Sequence, residues 1–200
     1  MTESVAVVDT GCANIASVVF AFERLGVHAA VTSEASQIAS ASRVVLPGVG
    51  SAGAGMKGIR DLNLESVIKD LKCPVLGICL GMQMMATESA ESNTDCLGIF
   101  ETTVEKLSNA GGTVLPHMGW NTVDVKSQSK LFGGIPDSSR FYFVHSYALP
   151  VIPDTTASCM YGSTFSVAVE RENFFGVQFH PERSGSTGSK LLENFVGIQL

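Results

Sequence analysis

The chain has 200 residues, which is enough for one domain with a full core and short for two independent domains. Hydrophobic residues make up 45% of the chain and charged residues 16%, so the composition excludes an intrinsically disordered protein. The formal net charge of -6 argues against an extended surface for nucleic acid or for anionic membranes. We therefore expect a single domain over residues 1–200.

The cysteines, histidines and apolar runs bear on the cellular compartment. No apolar run approaches the roughly 20 residues that span a bilayer, and residues 1–4 lack the basic start of a signal peptide. Five cysteines without a CxxC pair make a poor disulfide framework, and the four histidines lack a metal-ligand spacing such as HExxH. The sequence predicts a cytoplasmic protein with no membrane segment, no metal and no cofactor.

Strands and helices alternate in the first half of the chain. Residues 5–9 (VAVVD) are a short apolar run, typical of a strand buried on both faces of a parallel sheet. Asn14 fits the N-cap of a helix, and Gly26 stands where a glycine would end it. The other elements predicted in this half are a strand at 29–32, a helix at 34–41, a strand at 44–46, a helical stretch at 56–71 broken near Asn63, a strand at 74–78, and a helix that begins at residue 80 with a helical run over 82–88.

The second half of the chain is richer in strands. They are predicted at 103–107, 113–115, 121–125, 140–145, 157–161, 166–170 and 174–179, followed by a final helix over 189–198. The alternation at this length predicts a three-layer α/β domain with a mostly parallel central sheet and helices on both faces. We expect the second half to add antiparallel strands to that sheet.

The sharpest local signal is GICLG at residues 77–81, between the strand at 74–78 and the next helical run. A nucleophile on such a tight strand-to-helix turn projects from the carboxyl end of a sheet, as in the G-x-S-x-G elbow. The positive end of the helix favours a thiolate, which is the species that attacks. The alternative is that Cys79 is a small buried core residue. That second interpretation is the one we give to the remaining cysteines, Cys12, Cys73, Cys96 and Cys159.

A general base for a cysteine nucleophile has to come from elsewhere in the chain, commonly a histidine with its own orienting group. His180-Pro181-Glu182 supplies both directly after the strand predicted at 174–179. Pro181 stiffens the backbone, and Glu182 can reach back to the second imidazole nitrogen of His180. Taken alone, this tripeptide is more typical of a surface turn. Its pairing with a cysteine elbow favours a catalytic base.

The segment PGVG at residues 47–50 follows the strand at 44–46. Glycine-rich backbone at a strand end can present N–H groups to a developing oxyanion, together with the N–H of Leu80. A phosphate-binding loop is the competing interpretation, but the pattern GxxxxGK[ST] is absent. As an isolated motif, PGVG is a weak signal.

PGVG, GICLG and HPE, in this order and at about this spacing, resemble the class I (triad) glutamine amidotransferases. The resemblance covers essentially the whole chain. It implies that L-glutamine is the substrate and that Cys79, His180 and Glu182 form a catalytic triad. It also implies a γ-glutamyl thioester as the intermediate.

The resemblance further implies roles for residues near the nucleophile. An oxyanion hole would come from Leu80 and from the Val49 and Gly50 region, and Gln83 and Glu91 would hold the amino-acid end of the substrate. In the resting enzyme the Val49 peptide would point its carbonyl into the site, and it would turn when the partner binds its own ligand.

Three further segments are similar to one branch of this family: DTGCAN at 9–14, PHMGWN at 116–121 and YFVHSY at 142–147. In that branch, a separate glutaminase chain forms a heterodimer with a (β/α)8-barrel synthase subunit, which it supplies with ammonia for histidine biosynthesis. One departure is TGCAN at 10–14, where many members read YGxGN. It lies away from the triad.

Trp120 and Arg183 are the candidate contacts with the partner subunit. By resemblance, residues 117–121 belong to the same face as the triad, and Arg183 directly follows the glutamate of the HPE motif. Trp120 is equally compatible with ordinary core, and Arg183 with a solvated charge. His117 and His145 could line an interface or cap a turn, and we assign neither of them to catalysis.

Other functions use the same residues. A γ-glutamyl hydrolase or cysteine peptidase would apply the same thiolate chemistry to another acyl donor and act without a partner. A glutaminase of another ammonia-transferring synthase is a closer rival, which PHMGWN argues against. A binding or chaperone module with a redox-sensitive cysteine would have no need of His180 and Glu182.

Overall fold

The computed structural model describes residues 4–11, 14–109, 112–126 and 129–200. Cys12, and with it the middle of the DTGCAN segment, lies outside the described residues. Fourteen strands are found in chain order: β1 Ser4–Val8, β2 His28–Thr32, β3 Arg43–Gly48, β4 Val75–Cys79, β5 Ala86–Ser89, β6 Thr94–Asp95, β7 Phe100–Lys106, β8 His117–Thr122, β9 Asp124–Val125, β10 Arg140–His145, β11 Tyr147–Ala148, β12 Thr155–Tyr161, β13 Ser163–Arg171 and β14 Phe174–Val177, all within those described ranges.

The described ranges contain six α-helices and a short 3-10 helix at Pro181–Arg183. The α-helices are α1 Ile15–Glu23, α2 Ala35–Ser40, α3 Ala52–Asp61, α4 Glu65–Asp70, α5 Leu80–Met84 and α6 Gly185–Val196. The break predicted near Asn63 separates α3 from α4, and Asn63 itself has a φ of +54°. None of these helices, in the part of the chain that is described, is long and apolar enough to cross a membrane.

Eight strands form the main sheet in the order β2-β1-β3-β4-β14-β13-β12-β9. The first five are parallel to one another, whereas β13, β12 and β9 continue the sheet in antiparallel pairs. The predicted mostly parallel sheet, with antiparallel additions from the second half, is therefore confirmed. Two smaller sheets, β10-β8 and β11-β7-β5-β6, were not predicted.

The main sheet is buried on both faces, which explains its continuous apolar strands. In β1, Val5 and Val7 enter one core, and Ala6 and Val8 enter the other. The first core is closed by residues of α1 and α6, and the second by residues of α2, α3, α4 and α5. Helices therefore cover both faces, and the predicted three-layer α/β class is confirmed.

Two predicted elements after Cys79 are wrong. The helix ends at Met84 instead of continuing over 82–88, because β5 pairs in parallel with β7. The predicted strand at 121–125 covers the end of β8 and all of β9, which belong to different sheets. An apolar run does not by itself distinguish a helix from a strand, and here the pairing with a neighbouring strand decides.

A third prediction is also wrong, because residues 113–115 form no strand. Val114 is 72% exposed, and its carbonyl accepts a hydrogen bond from the Tyr161 hydroxyl at 2.7 Å. The β-branched residues in this segment indicated a strand, but the segment pairs with none of the strands in the described residues.

The carboxyl ends of three neighbouring parallel strands meet at one edge of the sheet. Gly48 of β3 is paired with Cys79 of β4, and Val177 of β14 with Ile78. PGVG, the cysteine turn and the segment leading to His180 therefore emerge side by side. In open α/β sheets this carboxyl edge is where ligand sites are built.

Candidate active site

Cys79 lies at the turn from β4 to α5 with φ +53° and ψ -109°, a backbone conformation that residues other than glycine rarely adopt. The neighbouring glycines permit it. A Cβ atom at Gly77 would lie 2.7 Å from the Met82 nitrogen, and one at Gly81 would collide with the Leu46 backbone oxygen. Only glycine therefore fits on either side, and the turn has the geometry of a nucleophile elbow.

The Cys79 sulfur is buried among polar groups. The residue is 6% exposed, Gln178 Nε2 donates a hydrogen bond to Sγ at 3.6 Å, and the Val144 carbonyl oxygen lies 3.9 Å from it. This environment differs from that of the other described cysteines. Burial raises the pKa of Cys73, raises that of Cys96 to about 11 and raises that of Cys159 to about 12, so these thiols stay protonated at neutral pH.

His180 directly precedes the 3-10 helix that carries Glu182, so the two side chains share one short turn. Nδ1–H of His180 donates to Glu182 Oε1 at 2.8 Å, and both side chains are less than a tenth exposed. The backbone N–H of His180 donates to the Tyr142 carbonyl at 2.9 Å, and its carbonyl accepts from the Ser184 hydroxyl at 2.7 Å. These bonds fix the imidazole and its tautomer.

The protonated form of His180 is favoured by its neighbours. Burial alone lowers the pKa of His180, but hydrogen-bonding and charge interactions with Cys79 and Glu182 outweigh burial and raise it to about 10. Within the described residues, Nε2 of His180 has no hydrogen-bond partner, so its interaction with Cys79 is not an aligned hydrogen bond in this structure. In unliganded enzymes, catalytic hydrogen bonds are often long or poorly aligned.

A cavity of about 100 Å³ joins most of the residues that the sequence singled out. Cys79 and His180 line it, as do the proposed oxyanion and substrate residues. The complete lining is Val49, Gly50, Cys79, Leu80, Gln83, Glu91, Val144, His145, Ser146, Tyr147 and His180. A larger, shallower depression of about 440 Å³, lined by Arg60, Asn63, Glu65, Ser66 and Lys69, has neither a cysteine nor a histidine in its lining.

The proposed oxyanion residues lie beside Cys79. Leu80 is the first residue of α5, and the pairing of Gly48 with Cys79 brings the PGVG backbone next to it. Val49 is 40% exposed, and Gly50 has a φ of +94°, which favours glycine at that position.

The two proposed substrate residues are held by different contacts. Gln83 is 4% exposed, and its Nε2 donates to the Tyr147 carbonyl at 2.7 Å and to Gln178 Oε1 at 2.9 Å. Glu91 accepts a hydrogen bond from the Ala52 N–H at 2.9 Å, at the first turn of α3. Glu91 therefore also caps a helix, a structural role that its motif did not indicate.

Trp120 and Arg183 are not among the cavity-lining residues, and both contact Tyr142. Trp120 is 48% exposed and contacts the Tyr142 ring edge-on at 6.1 Å, while the guanidinium of Arg183 lies over that ring at 4.8 Å. The Tyr142 carbonyl is the one that holds the His180 backbone. Trp120 is thus not ordinary core, and both candidates form a surface next to the triad.

His117 and His145 form a buried hydrogen-bonded pair. His145 lines the cavity and donates through Nδ1–H to the Tyr147 carbonyl at 2.9 Å, so its Nε2 accepts from His117 Nδ1 at 3.0 Å. His117 in turn accepts from the Asn121 amide at 3.3 Å. Burial lowers the pKa of His117 to about 4 and that of His145 to about 3, so both rings are neutral at pH 7.

Sequence reasoning missed three residues that contact the proposed site residues: Gln178 and Val144 beside Cys79, and Tyr147 beside Gln83. Gln178 stands two residues before His180, and alternation along an extended strand was the signal that could have placed both on one side. Val144 and Tyr147 act through backbone carbonyls, which no side-chain pattern can reveal.

Comparison with known proteins agrees with this geometry. Residues 6–198 match the glutamine amidotransferase class-I family. The imidazole glycerol phosphate synthase subunit HisH of Shewanella sediminis is 50% identical over 200 residues, covering 98% of this chain and 91% of that protein. The same-named subunit of Escherichia coli is 50% identical over 194 residues, covering 96% and 98%.

Solved structures share the fold at lower identity. The structure of PurLQS from Thermotoga maritima has a TM-score of 0.74 at 18% identity, covering 98% of this chain and 99% of the other. The crystal structure of a glutamine amidotransferase from the same organism gives 0.68 at 20% identity, covering 98% and 83%. The family match over nearly the whole chain, together with relatives at 50% identity, shows that this chain belongs to the class I glutamine amidotransferases.

Proposed function

We propose that this chain is the glutaminase subunit of imidazole glycerol phosphate synthase. It would hydrolyse L-glutamine to L-glutamate and deliver ammonia to a (β/α)8-barrel synthase subunit in histidine biosynthesis, in the cytoplasm. The observation that carries the proposal is the cavity that Cys79 and His180 share, in a chain half identical to subunits of that name. The triad, oxyanion and substrate roles below are parts of the same proposal.

The first half of the reaction forms a thioester. The Cys79 thiolate attacks the side-chain amide carbon of glutamine, and the carbonyl π electrons move onto the oxygen to give a tetrahedral oxyanion. His180, protonated and held by Glu182, donates its Nε2 proton to the amide nitrogen as the C–N bond breaks. Ammonia leaves and the γ-glutamyl group stays on sulfur.

The second half regenerates the enzyme. His180, now neutral, takes a proton from a water molecule, whose oxygen attacks the thioester carbon. The C–S bond breaks, the γ-carboxylic acid is released and loses its proton to solvent to give glutamate, and the thiolate and imidazolium pair is restored. The raised pKa of His180 suits this cycle, because the imidazolium is the resting form that supplies the first proton.

The oxyanion would be bound by backbone N–H groups, that of Leu80 and that of the Val49–Gly50 peptide. Losing one such donor typically costs about 10²- to 10³-fold in rate. A peptide at Val49 that turns between two orientations is therefore sufficient to switch the glutaminase, and Gly50 beside it permits the change.

Gln83 and Glu91 would hold the amino-acid end of glutamine. Both N–H bonds of the Gln83 amide are used by Tyr147 and Gln178, which leaves its oxygen as the acceptor available to a ligand. Glu91 adds a carboxylate to the same cavity. Two acceptors suit the α-ammonium group of glutamine better than its carboxylate.

The partner would dock over the carboxyl edge of the sheet, where Trp120 and Arg183 border the triad. Ammonia is nucleophilic only while unprotonated, and water at neutral pH would protonate most of it. An enclosed path into the barrel prevents this loss. A glutaminase of this kind should be nearly idle alone, whereas a freestanding hydrolase should act fully without a partner.

The test is Cys79→Ala in complex with the barrel subunit, with Cys73→Ala as the matched control. We expect Cys79→Ala to abolish synthesis from glutamine and to leave synthesis from added ammonia intact, because the two half-reactions use separate sites. Cys73→Ala should preserve both. Wild-type use of glutamine by Cys79→Ala would overturn the proposal.

A further inference from the structure

Gln178 is a fully buried side chain in contact with the proposed nucleophile. It is 0% exposed, follows β14 directly, and places Nε2 3.6 Å from Cys79 Sγ. An amide with no solvent contact has to be satisfied by protein groups. Its other polar atom, Oε1, accepts from Gln83 Nε2 at 2.9 Å.

The orientation of the Gln178 amide is fixed by the Tyr147 carbonyl, through the side chain of Gln83. The Tyr147 oxygen can only accept, so the Gln83 atom 2.7 Å from it must be the nitrogen. That same nitrogen donates to Gln178, whose facing atom must therefore be the oxygen. Gln178 is left with its N–H group pointed at the sulfur, and it cannot be flipped without breaking two buried hydrogen bonds.

The opposite side of the sulfur has the reverse polarity. The Val144 carbonyl oxygen lies 3.9 Å from Sγ, and it can accept a hydrogen bond from a neutral thiol but repels a thiolate. The Gln178 N–H group interacts more strongly with the thiolate than with the thiol, because hydrogen bonds to a charged group are the stronger ones. The two contacts therefore favour opposite protonation states of Cys79.

We propose that Gln178 is a catalytic residue that donates a hydrogen bond to the Cys79 thiolate and offsets the Val144 carbonyl. Gln83 and the Tyr147 carbonyl position it. The inference rests on the proposed role of Cys79 as nucleophile. It adds a neutral donor to the ion pair of Cys79 with His180, and it links the substrate residue Gln83 to the reactivity of the sulfur.

Several titratable groups face the sulfur or its base, and all of them remain in the variants proposed below. His180 and Glu182 follow β14, His145 ends β10, Tyr147 begins β11, and Glu91 lines the same cavity. Changing Gln178 alone therefore isolates the contribution of its amide.

The test is the rate at which iodoacetamide alkylates Cys79 in the whole chain, followed from pH 5 to 11 by peptide mass spectrometry. The variant is Gln178→Met, which keeps the size of the side chain and removes its polar atoms. The control is Asn173→Leu, at the other end of β14. Asn173 is likewise buried, but its amide donates to the Leu71 and Cys73 carbonyls at 2.8 and 2.9 Å, away from the sulfur.

At pH values below the titration midpoint, we expect the thiolate fraction of Cys79 in Gln178→Met to be about tenfold smaller than in the wild type. A more basic thiolate is also more nucleophilic, with a Brønsted coefficient of about 0.4–0.5. Below the midpoint, alkylation of the variant should therefore be only about threefold slower than that of the wild type. For the same reason it should be about threefold faster on the alkaline plateau. The pH profile of the variant should thus cross that of the wild type, while Asn173→Leu loses stability and keeps the wild-type profile.

A merely structural role for Gln178 would loosen the site and raise alkylation at every pH. That result, or an unchanged profile in Gln178→Met, would overturn the inference. Gln178→Glu serves as a second variant, because it keeps an acceptor for Gln83 and should move the profile further to alkaline pH. Alkylation needs neither glutamine nor the partner subunit, so the outcome is independent of the Cys79→Ala test of the proposed function.

Discussion

Two buried histidines beside the same cavity have opposite protonation behaviour. His180 is 6% exposed and His145 is 7% exposed, so the two residues are buried to nearly the same extent. Yet the pKa of His180 is raised to about 10, whereas that of His145 is lowered to about 3. Burial lowers the pKa in both cases, and the difference comes from the neighbours.

His180 has the Glu182 carboxylate hydrogen-bonded to Nδ1 and Cys79 nearby, and interactions with both raise its pKa. His145 faces a backbone carbonyl on one side and the neutral His117 on the other. Of the two histidines, the one that keeps its proton at neutral pH is therefore the one beside the Glu182 carboxylate and Cys79.

The largest effect should follow removal of either member of the reactive pair. Cys79→Ala and His180→Ala should each reduce glutamine-dependent synthesis by at least about 10³-fold, and the double variant should be hardly worse, because members of a catalytic unit are strongly non-additive. Steady-state kinetics of the complex provide the measurement. Additive losses in the double variant would show that the two residues do not share a mechanism.

Glu182→Gln should have a smaller effect, because the role proposed for this residue is to orient His180 and not to move a proton. Loss of a charge-assisted hydrogen bond of about 1.5–3 kcal/mol corresponds to about 10- to 100-fold in rate. The variant should also lower the pKa of His180, making this histidine more like His145. A loss as severe as that of His180→Ala would assign Glu182 a more direct role.

The surface next to the triad should affect activation more than folding. We expect Trp120→Ala and Arg183→Ala each to cause an about tenfold loss in the stimulation of the glutaminase by the barrel subunit, as truncation of a well-packed interface residue does. The thermal unfolding of the isolated chain should change little, because exposed substitutions usually cost under about 0.5 kcal/mol.

Val31→Ala is the matched control for the docking surface, since Val31 is also 48% exposed but lies on the edge strand β2. It should leave stimulation unchanged. If Trp120→Ala and Arg183→Ala, like Val31→Ala, were stimulated as strongly as the wild type, the docking face would lie elsewhere.

The last effect is on acid stability and not on activity. The folded pKa values of His117 and His145 lie below the ordinary value of 6.5. Above pH 6.5 both rings are neutral whether the chain is folded or not. As the pH falls below 6.5, only the unfolded chain takes up these protons, so the free energy of unfolding falls by about 1.4 kcal/mol per pH unit for each ring.

Between pH 6.5 and about pH 4, unfolding of His117→Gln should therefore take up about one proton fewer than unfolding of the wild type. The free energy of unfolding of the variant should fall less steeply as the pH is lowered. Urea unfolding at several pH values measures that slope. A slope equal to that of the wild-type chain would mean that His117 is protonated in the folded state.

The parts of this account that could be predicted from the sequence are those with short-range causes. The elbow around Cys79 follows from two glycines and an apolar strand, and the pairing of His180 with Glu182 follows from a spacing of two residues. Residues 82–88 were misassigned because their outcome depends on β7, which lies farther along the chain. The Val144 and Tyr147 carbonyls are set by the path of β10 and β11, which side-chain patterns do not encode.

The central claim is that His180 rests as an imidazolium held by Glu182, whereas His145 stays neutral. The most direct measurement is a nitrogen-15 NMR titration of the four histidine rings in the whole chain, assigned with single His→Gln variants. At pH 7 the account predicts protonation of both ring nitrogens in His180 and Nδ1–H tautomers in His117 and His145, with the His180 signal changing only near pH 10. A neutral His180 ring at pH 7 would contradict it.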